Sequence, residues 1–151
     1  PAGTALTARP ALTARGQSAQ PLAVVVHAGV KVDNLTLPEL RRLLLGDREF
    51  WPSGERVAVL IRAPVTRERD AIVQTVCEMT EAGFRKHWIG KVFRAETPSG
   101  PRLVSSTQMA LDEVRRTPGA ITFVEASAVL PADKVLTIDG KRPGDSDYRF
   151  R

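Results

Sequence analysis

Two stretches near the start of the chain decide its fold: residues 22–27 read LAVVVH, and residues 35–46 read LTLPELRRLLLG. A short continuous run of apolar and β-branched residues is typical of a strand that is covered on both faces of a sheet. In the second stretch, Thr36 and Glu39 have the spacing of a capping box, and leucines follow at helical intervals. Gly46 can end this helix in a left-handed conformation. Together the two stretches predict a buried strand followed by an amphipathic helix.

The same alternation continues along the chain. Apolar strand patterns recur at residues 57–62, 120–124 and 135–138, and helical spacings of apolar residues recur at residues 66–79, 84–93 and 105–117. Either Ser105, with Gln108 as a capping-box partner, or Ser106 can begin the last of these helices. Strands that alternate with helices predict an α/β domain with a mainly parallel or mixed sheet flanked by helices.

The composition divides the chain into three parts. Residues 1–20 are rich in alanine, threonine and proline, and we expect a flexible leader or the remnant of a signal peptide there. Residues 21–140 hold all the periodic segments and form the predicted α/β domain. Residues 141–151 form a polar C-terminal tail in which Tyr148 and Phe150 are the anchors.

Net charge and hydropathy limit the classes of partner that we expect for the chain. The formal net charge is +5, but acidic and basic residues alternate, as in RERD at residues 67–70 and DEVRR at residues 112–116. Interspersed charges are typical of solvated helix faces, and the sequence has no basic run, so we expect no nucleic-acid partner. No apolar run approaches the length that spans a bilayer, and we expect no transmembrane segment.

The reactive side chains give no sign of an enzyme. Cys77 is the only cysteine and lies among apolar residues, so we expect a buried structural thiol. His27 and His87 are the only histidines, and neither falls in a catalytic or metal-binding motif. No acidic pair has a spacing that suggests acid/base chemistry. We therefore expect no catalytic residues, no metal and no cofactor.

The candidate site is the segment RAPVTRER at residues 62–69, where a predicted strand passes into a predicted helix. Ligands of such sheets favour the carboxyl ends of strands, and a helix N-terminus favours an anion. The Thr66 hydroxyl can donate a hydrogen bond there, and Arg62 and Arg69 can supply bidentate positive charge. The alternative is that Thr66 only caps the helix and that the two arginines are surface charges.

Four collinear segments resemble phosphate-type periplasmic solute-binding proteins. Residues 35–46 followed by Trp51 are similar to the family's "LxxxELxxIFxG…W", and Trp88 with Phe93 matches a later helix with a "W…F" pattern. Residues 104–106 (VSS) and 117–124 (TPGAITFV) resemble its "V…S" and "TPGAIGYV" segments.

The resemblance covers about residues 22–138, in the family's order. It implies a short, single-lobe, periplasmic-binding-protein-like domain that is not an enzyme and is periplasmic or secreted in a bacterium. It also implies a small oxyanion such as phosphate as ligand, a link to ABC transport, and binding by Arg62, Thr66, Arg69, Ser105 and Ser106.

The chain departs from the family at the binding loop and in length. The family's loop resembles "RxDGSGT", of which Arg62 is kept while Thr66 stands in place of the serine. The acidic residue, the glycines and the threonine are replaced by Pro64, Val65, Arg67 and Glu68. Proline lacks an N–H, and a carboxylate near the helix start repels phosphate. The alternative function is therefore an envelope interaction or assembly module that reuses the fold without a ligand and fills the strand-end cleft with its own side chains.

Overall fold

The computed structural model describes residues 20–98 and 100–150, so the leader predicted for residues 1–20 lies, apart from Gln20, outside the described residues. The strands of the described part are β1 Leu22–Val26, β2 Asn34–Leu35, β3 Ala58–Arg62, β4 Arg102–Val104, β5 Ala120–Glu125 and β6 Lys134–Ile138. Its α-helices are α1 Leu37–Leu44, α2 Arg67–Ala71, α3 Glu81–Phe93 and α4 Thr107–Arg116. A π-helical turn, Ile72–Val76, continues α2, and a 3₁₀ turn, Ala126–Ala128, follows β5. None of the described helices has the length and apolar character needed to cross a membrane.

The six strands form one mixed sheet in the order β2-β6-β1-β5-β3-β4. Strand β1 runs antiparallel to β5 and β6, whereas β3 is parallel to both β5 and β4. Because β3 and β4 are parallel and adjacent, their carboxyl ends meet at the same edge of the sheet. The predicted α/β architecture with a mixed sheet is confirmed.

Helices cover both faces of the sheet. Val24 and Val26 of β1 face a large core shared with α1, the π-helical turn and α3, while Ala23 and Val25 face a smaller core shared with α4. All five residues of β1 are buried, as the apolar run predicts. Alternate residues of one strand thus hold two helical layers in place.

Helix α1 forms as its sequence predicts. The Thr36 side chain accepts a hydrogen bond from the Glu39 backbone N–H at 3.2 Å, and the Glu39 carboxylate accepts one from the Thr36 N–H at 2.8 Å. Gly46 follows the helix at φ +77°, and a Cβ there would lie 2.5 Å from the Trp88 ring. The glycine is therefore required both for the turn and for the close packing of α3 against α1.

The prediction of a regular α-helix over residues 66–79 is wrong, because only Arg67–Ala71 is α-helical and Ile72–Val76 is a π-helical turn. After Ala71 the backbone widens, and the Cys77 N–H donates to the carbonyl of Ile72, five residues earlier. The wider turn brings Ile72, Val73, Val76 and Cys77 into the large core together. Burial of these four side chains determines the local backbone geometry. The 3.6-residue period of apolar residues in the sequence does not reveal this widened turn.

Nearby contacts determine three details that the sequence pattern leaves open or does not show. Ser106, not Ser105, caps α4, and the Gln108 side chain donates to Asp112 instead of forming a capping box. Phe50, next to the buried Trp51, lies half-exposed under the guanidinium of Arg56, 4.9 Å from the ring centre. Strands β2 and β4 were not predicted, since two or three residues carry no periodic signal.

The end of the polar tail packs against the first strand. Tyr148 and Phe150 are buried, and their rings contact each other edge to face at 5.5 Å. The Tyr148 hydroxyl donates to the Leu22 carbonyl at 2.5 Å, and the Leu22 N–H donates to the Phe150 carbonyl at 2.9 Å. The two predicted anchors therefore extend the core beyond β6.

A buried hydrogen bond joins the turn before β3 to the turn before β5. The Trp51 indole N–H donates to the Gly119 carbonyl at 2.8 Å, and the same carbonyl accepts from the Ala58 N–H at 3.1 Å. Gly119 has φ +83°, and a Cβ there would lie 2.2 Å from the Arg56 carbonyl oxygen. The TPG sequence before β5 therefore fixes a close backbone contact as well as a helix end.

We predict that Gly119→Ala lowers the free energy of unfolding by about 3 kcal/mol, of which left-handed backbone strain accounts for about 1–2 kcal/mol and the backbone clash for the rest. Gly140→Ala is the matched control, since Gly140 has φ +78° and no atom lies within 4 Å of its added Cβ. The control should lose only the part of the free energy of unfolding that comes from left-handed backbone strain. Urea denaturation of both variants measures the difference, and equal losses would contradict the proposed clash.

We also predict that stability falls with rising pH in the alkaline range. Burial raises the pKa of the Cys77 thiol from 9.0 to about 12 and also raises the pKa of the Tyr148 phenol. Between about pH 9 and 11 the unfolded chain releases these protons while the folded chain retains them, so the free energy of unfolding decreases as pH rises.

Urea titrations at several pH values measure this slope, and Cys77→Ala should flatten its first part near pH 9. The Tyr148 contribution, which begins near the ordinary tyrosine pKa of about 10, should remain in that variant. A slope that Cys77→Ala leaves unchanged would contradict the assignment to the thiol.

Candidate functional site

The strand-end site lies where β3 and β4 end and α2 and α4 begin. Arg62, the last residue of β3, pairs in register with Val104, the last residue of β4. Helix α2 starts five residues after Arg62, and α4 starts three residues after Val104. The site comprises all five predicted residues and two further ones: Arg62, Thr66, Glu68, Arg69, Ser105, Ser106 and Thr107.

Arg62 is neutralised within the site. Its Nη1 donates to the Glu68 carboxylate at 3.0 Å and lies 3.4 Å from the Thr107 hydroxyl. The two charged side chains are only 19% and 12% exposed. The Arg62 Nε is buried and has no hydrogen-bond partner among the described residues. A carboxylate of this chain therefore binds the guanidinium that is predicted to bind an external anion.

Thr66 is the N-cap of α2. Its hydroxyl accepts from the Arg69 N–H at 3.3 Å and donates to the Ala63 carbonyl at 2.9 Å, so its proton is already used. The preceding residue, Val65, has φ +76° and is exposed. A positive φ at the third position of a four-residue turn is normally served by glycine. The loop thus has a backbone conformation that glycine normally adopts, although a valine stands at this position.

Arg69 is a buried structural cation. Its Nε and Nη2 bind both oxygens of Glu81 at 2.9 and 2.6 Å, and its Nη1 donates to the Arg62 carbonyl at 3.1 Å. Its guanidinium lies 5.5 Å from the centre of the Phe84 ring. The alternative that this arginine is a surface charge is wrong, because the side chain joins α2, α3 and the end of β3.

The two serines lie at the start of α4. The Ser106 hydroxyl accepts from the Met109 N–H at 3.0 Å as the helix cap. The exposed Ser105 hydroxyl lies 3.3 Å from the Met109 sulfur, which is a weak acceptor. Ser105 is thus the predicted residue whose hydroxyl is least engaged. Ligand binding by the five predicted residues stays a prediction.

The described residues offer no arrangement of nucleophile and base. The His27 ring accepts from the Gly29 N–H, the His87 ring lies 2.8 Å from the Leu45 carbonyl, and Cys77 is buried with a raised pKa. Within residues 20–98 and 100–150, no three His, Cys, Asp or Glu side chains come together in a way that could hold a metal ion.

Sequence reasoning missed the partners of the two arginines. Glu68 was expected only to repel phosphate, and Glu81 and Thr107 were not considered. The one available signal was that Glu68 lies in the first turn of a helix whose preceding strand ends in arginine. The twelve-residue separation of Arg69 and Glu81 gives no local signal at all, because it depends on how α3 packs.

No protein-family model matches the chain, and no curated protein sequence matches it. Solved structures do match. An ABC-type phosphate transport receptor from Vibrio cholerae has a TM-score of 0.66 and 19% identity, covering 82% of this chain and 48% of its own. PstS from Borrelia burgdorferi has a TM-score of 0.64 and 13% identity, with 82% and 49% covered.

A chain from Clostridium perfringens, assigned as a phosphate ABC transporter substrate-binding protein and solved with phosphate, has a TM-score of 0.66. It is 18% identical and is matched over 82% of the present chain and 47% of its own length. The present chain spans about half the length of these structures. At these identities the likeness concerns the fold, and the chain has the periplasmic-binding-protein-like α/β fold.

Proposed function

We propose that this chain is a non-enzymatic, single-lobe, binding-protein-like domain of the bacterial envelope that acts by docking a protein partner. The observation that supports this most is the internal neutralisation of the strand-end site. Glu68 and Glu81 bind the two arginines that were predicted to hold an oxyanion. The site is thereby occupied by structural ion pairs, and another surface of the domain recognises the protein partner.

The energetics of the two ion pairs support this proposal. Removing one partner from a largely buried pair costs about 3–5 kcal/mol, because the other charge is left without compensation. An oxyanion that displaced Glu68 from Arg62 would have to offset such a cost. An oxyanion that bound beside Glu68 would meet a like charge in a poorly solvated position.

Binding of phosphate or another small oxyanion for ABC transport is the second candidate. It is favoured by the convergence of Arg62, Thr107 and two helix N-termini at one sheet edge, and by the Nε of Arg62, for which the described residues offer no hydrogen-bond partner. The names of the similar structures point the same way, since they are phosphate-binding or phosphate-transport proteins.

Isothermal titration calorimetry with phosphate and sulfate at millimolar concentration separates the two candidates. We expect no saturable heat from the wild-type chain, because its own carboxylate neutralises Arg62. Glu68→Gln should gain weak oxyanion binding that weakens with added salt, whereas Glu78→Gln, the same charge change at an exposed carboxylate, should not. Saturable wild-type heat that disappears in Arg62→Gln would overturn the docking proposal in favour of oxyanion binding.

Photo-cross-linking in the source bacterium tests partner docking directly. We expect a photoreactive phenylalanine analogue at one or more of four exposed apolar positions to give a discrete, light-dependent adduct. The partner is then identified by mass spectrometry and confirmed by reciprocal cross-linking. The positions are Phe50, Phe93, Leu103 and Leu130. Absence of any adduct at all four positions, with the variants folded and exported, counts against a docking function.

A further inference from the structure

Helix α3 is apolar on two faces, and the part of the chain that the structure describes leaves one of them exposed. Phe84 and Trp88 pack towards the large core. Ile89 and Phe93, four residues apart, are 63% and 89% exposed, and Val92 lies exposed beside them. An amphipathic surface helix normally shows charged or polar residues on its outer side, and a contiguous exposed apolar stripe marks an interaction surface.

A groove lies beside this stripe, between α3 and β4. It has a volume of about 590 Å³, within the usual range of about 300–1,000 Å³ for ligand pockets. Its lining includes Pro64, Arg85, Ile89, Pro101 and Leu103. Leu103 is the middle residue of β4, the terminal strand of the sheet, so the groove runs along an edge that no other strand of residues 20–98 and 100–150 covers. An open edge can accept an added strand through its backbone groups.

The charges around the groove are positive. Arg85 lines it, is exposed and makes no ion pair among the described residues, and exposed Lys86 follows it on α3. On β4, Arg102 lies on the opposite face from Leu103; it is exposed and has a single long contact with Glu113 of α4 at 3.6 Å. A second copy of this chain, itself carrying a net charge of +5, would bring the same cations to the groove. Charge complementarity therefore favours an acidic occupant.

We propose that this groove, bounded by the outer face of α3 and the free edge of β4, binds an extended segment of a partner protein in which apolar and acidic residues alternate. The segment adds a strand to β4. Its apolar side chains lie on the groove side and contact Ile89 and Leu103. Its carboxylates lie on the opposite face of the added strand, where they bind Arg102, and Arg85 at the groove adds to the positive field that attracts the acidic segment. The inference rests on the proposed docking function and names the surface and the chemistry of the partner.

The geometry of β4 supports an alternating segment. Leu103 faces the groove, whereas Val104 packs into the smaller core on the opposite face with α4. An added strand follows the same alternation, so every second side chain lies on the groove side. The concave shape also suits a peptide chain better than the flat surface of a bilayer.

Selection from a displayed library of random ten-residue peptides tests the inference. We expect enrichment of peptides with apolar residues at alternate positions and acidic residues between them. Fluorescence anisotropy then measures the affinity of a selected peptide, and hydrogen exchange should slow in residues 101–105 when it binds. Leu103→Ser and Arg85→Glu should each weaken binding at least tenfold.

Leu130→Ser is the matched control, because Leu130 is 54% exposed and Leu103 is 55% exposed, and Leu130 lies outside the groove. Its affinity for the selected peptide should equal that of the wild type. Thermal unfolding of the variants shows whether Leu103→Ser is folded. If Leu103→Ser is unfolded, the affinity of Arg85→Glu and the hydrogen-exchange pattern of residues 101–105 test the inference instead.

Several results would overturn the inference. These are no enrichment, enrichment of basic peptides, and equal weakening by Leu130→Ser. Concentration-dependent dimerisation through α3 would identify a second copy as the occupant. Phe93-dependent sedimentation with phosphatidylglycerol vesicles, without peptide binding, would identify a membrane surface. Cross-links obtained only through Phe50 or Leu130 would refute the groove while leaving the docking function in place.

Discussion

The buried ion pair between Arg69 and Glu81 is the interaction on which the site and the groove both depend. Through Glu81 it fixes the start of α3, and through its third hydrogen bond it fixes the carbonyl at the end of β3. Arg69 also lines the groove beside α3. Loss of either partner would leave a charge buried without compensation, at a cost of about 3–5 kcal/mol. One side chain thus joins the end of β3, at the Arg62 carbonyl, to the start of α3, at Glu81.

The chain combines the periplasmic-binding-protein-like fold with a strand-end site that holds an internal ion pair. Sheet order, helix starts and the left-handed loop at Val65 together provide the frame in which an anion could lie. Glu68 places a carboxylate against Arg62 inside that frame, with both side chains mostly buried. Because Glu68 is part of the chain, its carboxylate neutralises Arg62 at any ligand concentration. The positive charge of the site then contributes to stability at the junction of β3, α2 and α4.

The features that the sequence predicts correctly are those that depend on neighbours within one turn or one strand. The capping box of Thr36 and Glu39 is a contact over three residues, and the burial of residues 22–26 follows from their own apolar character. Ion pairs such as Arg69 with Glu81 depend on the packing of separate helices, and no periodic pattern encodes them. The π-helical turn at Ile72–Val76 likewise follows from the shape of the core, which a one-dimensional pattern does not contain.

The two apolar faces of α3 show what the spacing of apolar residues predicts and what it does not. It predicts the helix, but not which apolar residues the core covers. Spacings of three and four residues predict a helix, and Phe84 with Trp88 accounts for the face that meets the core. The remaining apolar residues, Ile89, Val92 and Phe93, exceed what this core can cover. Since contiguous apolar residues on the outer side of a surface helix mark an interaction surface, their exposure indicates a further contact. The open edge of β4 lies where such a contact can also complete the sheet, so a single occupant would satisfy both the helix and the strand.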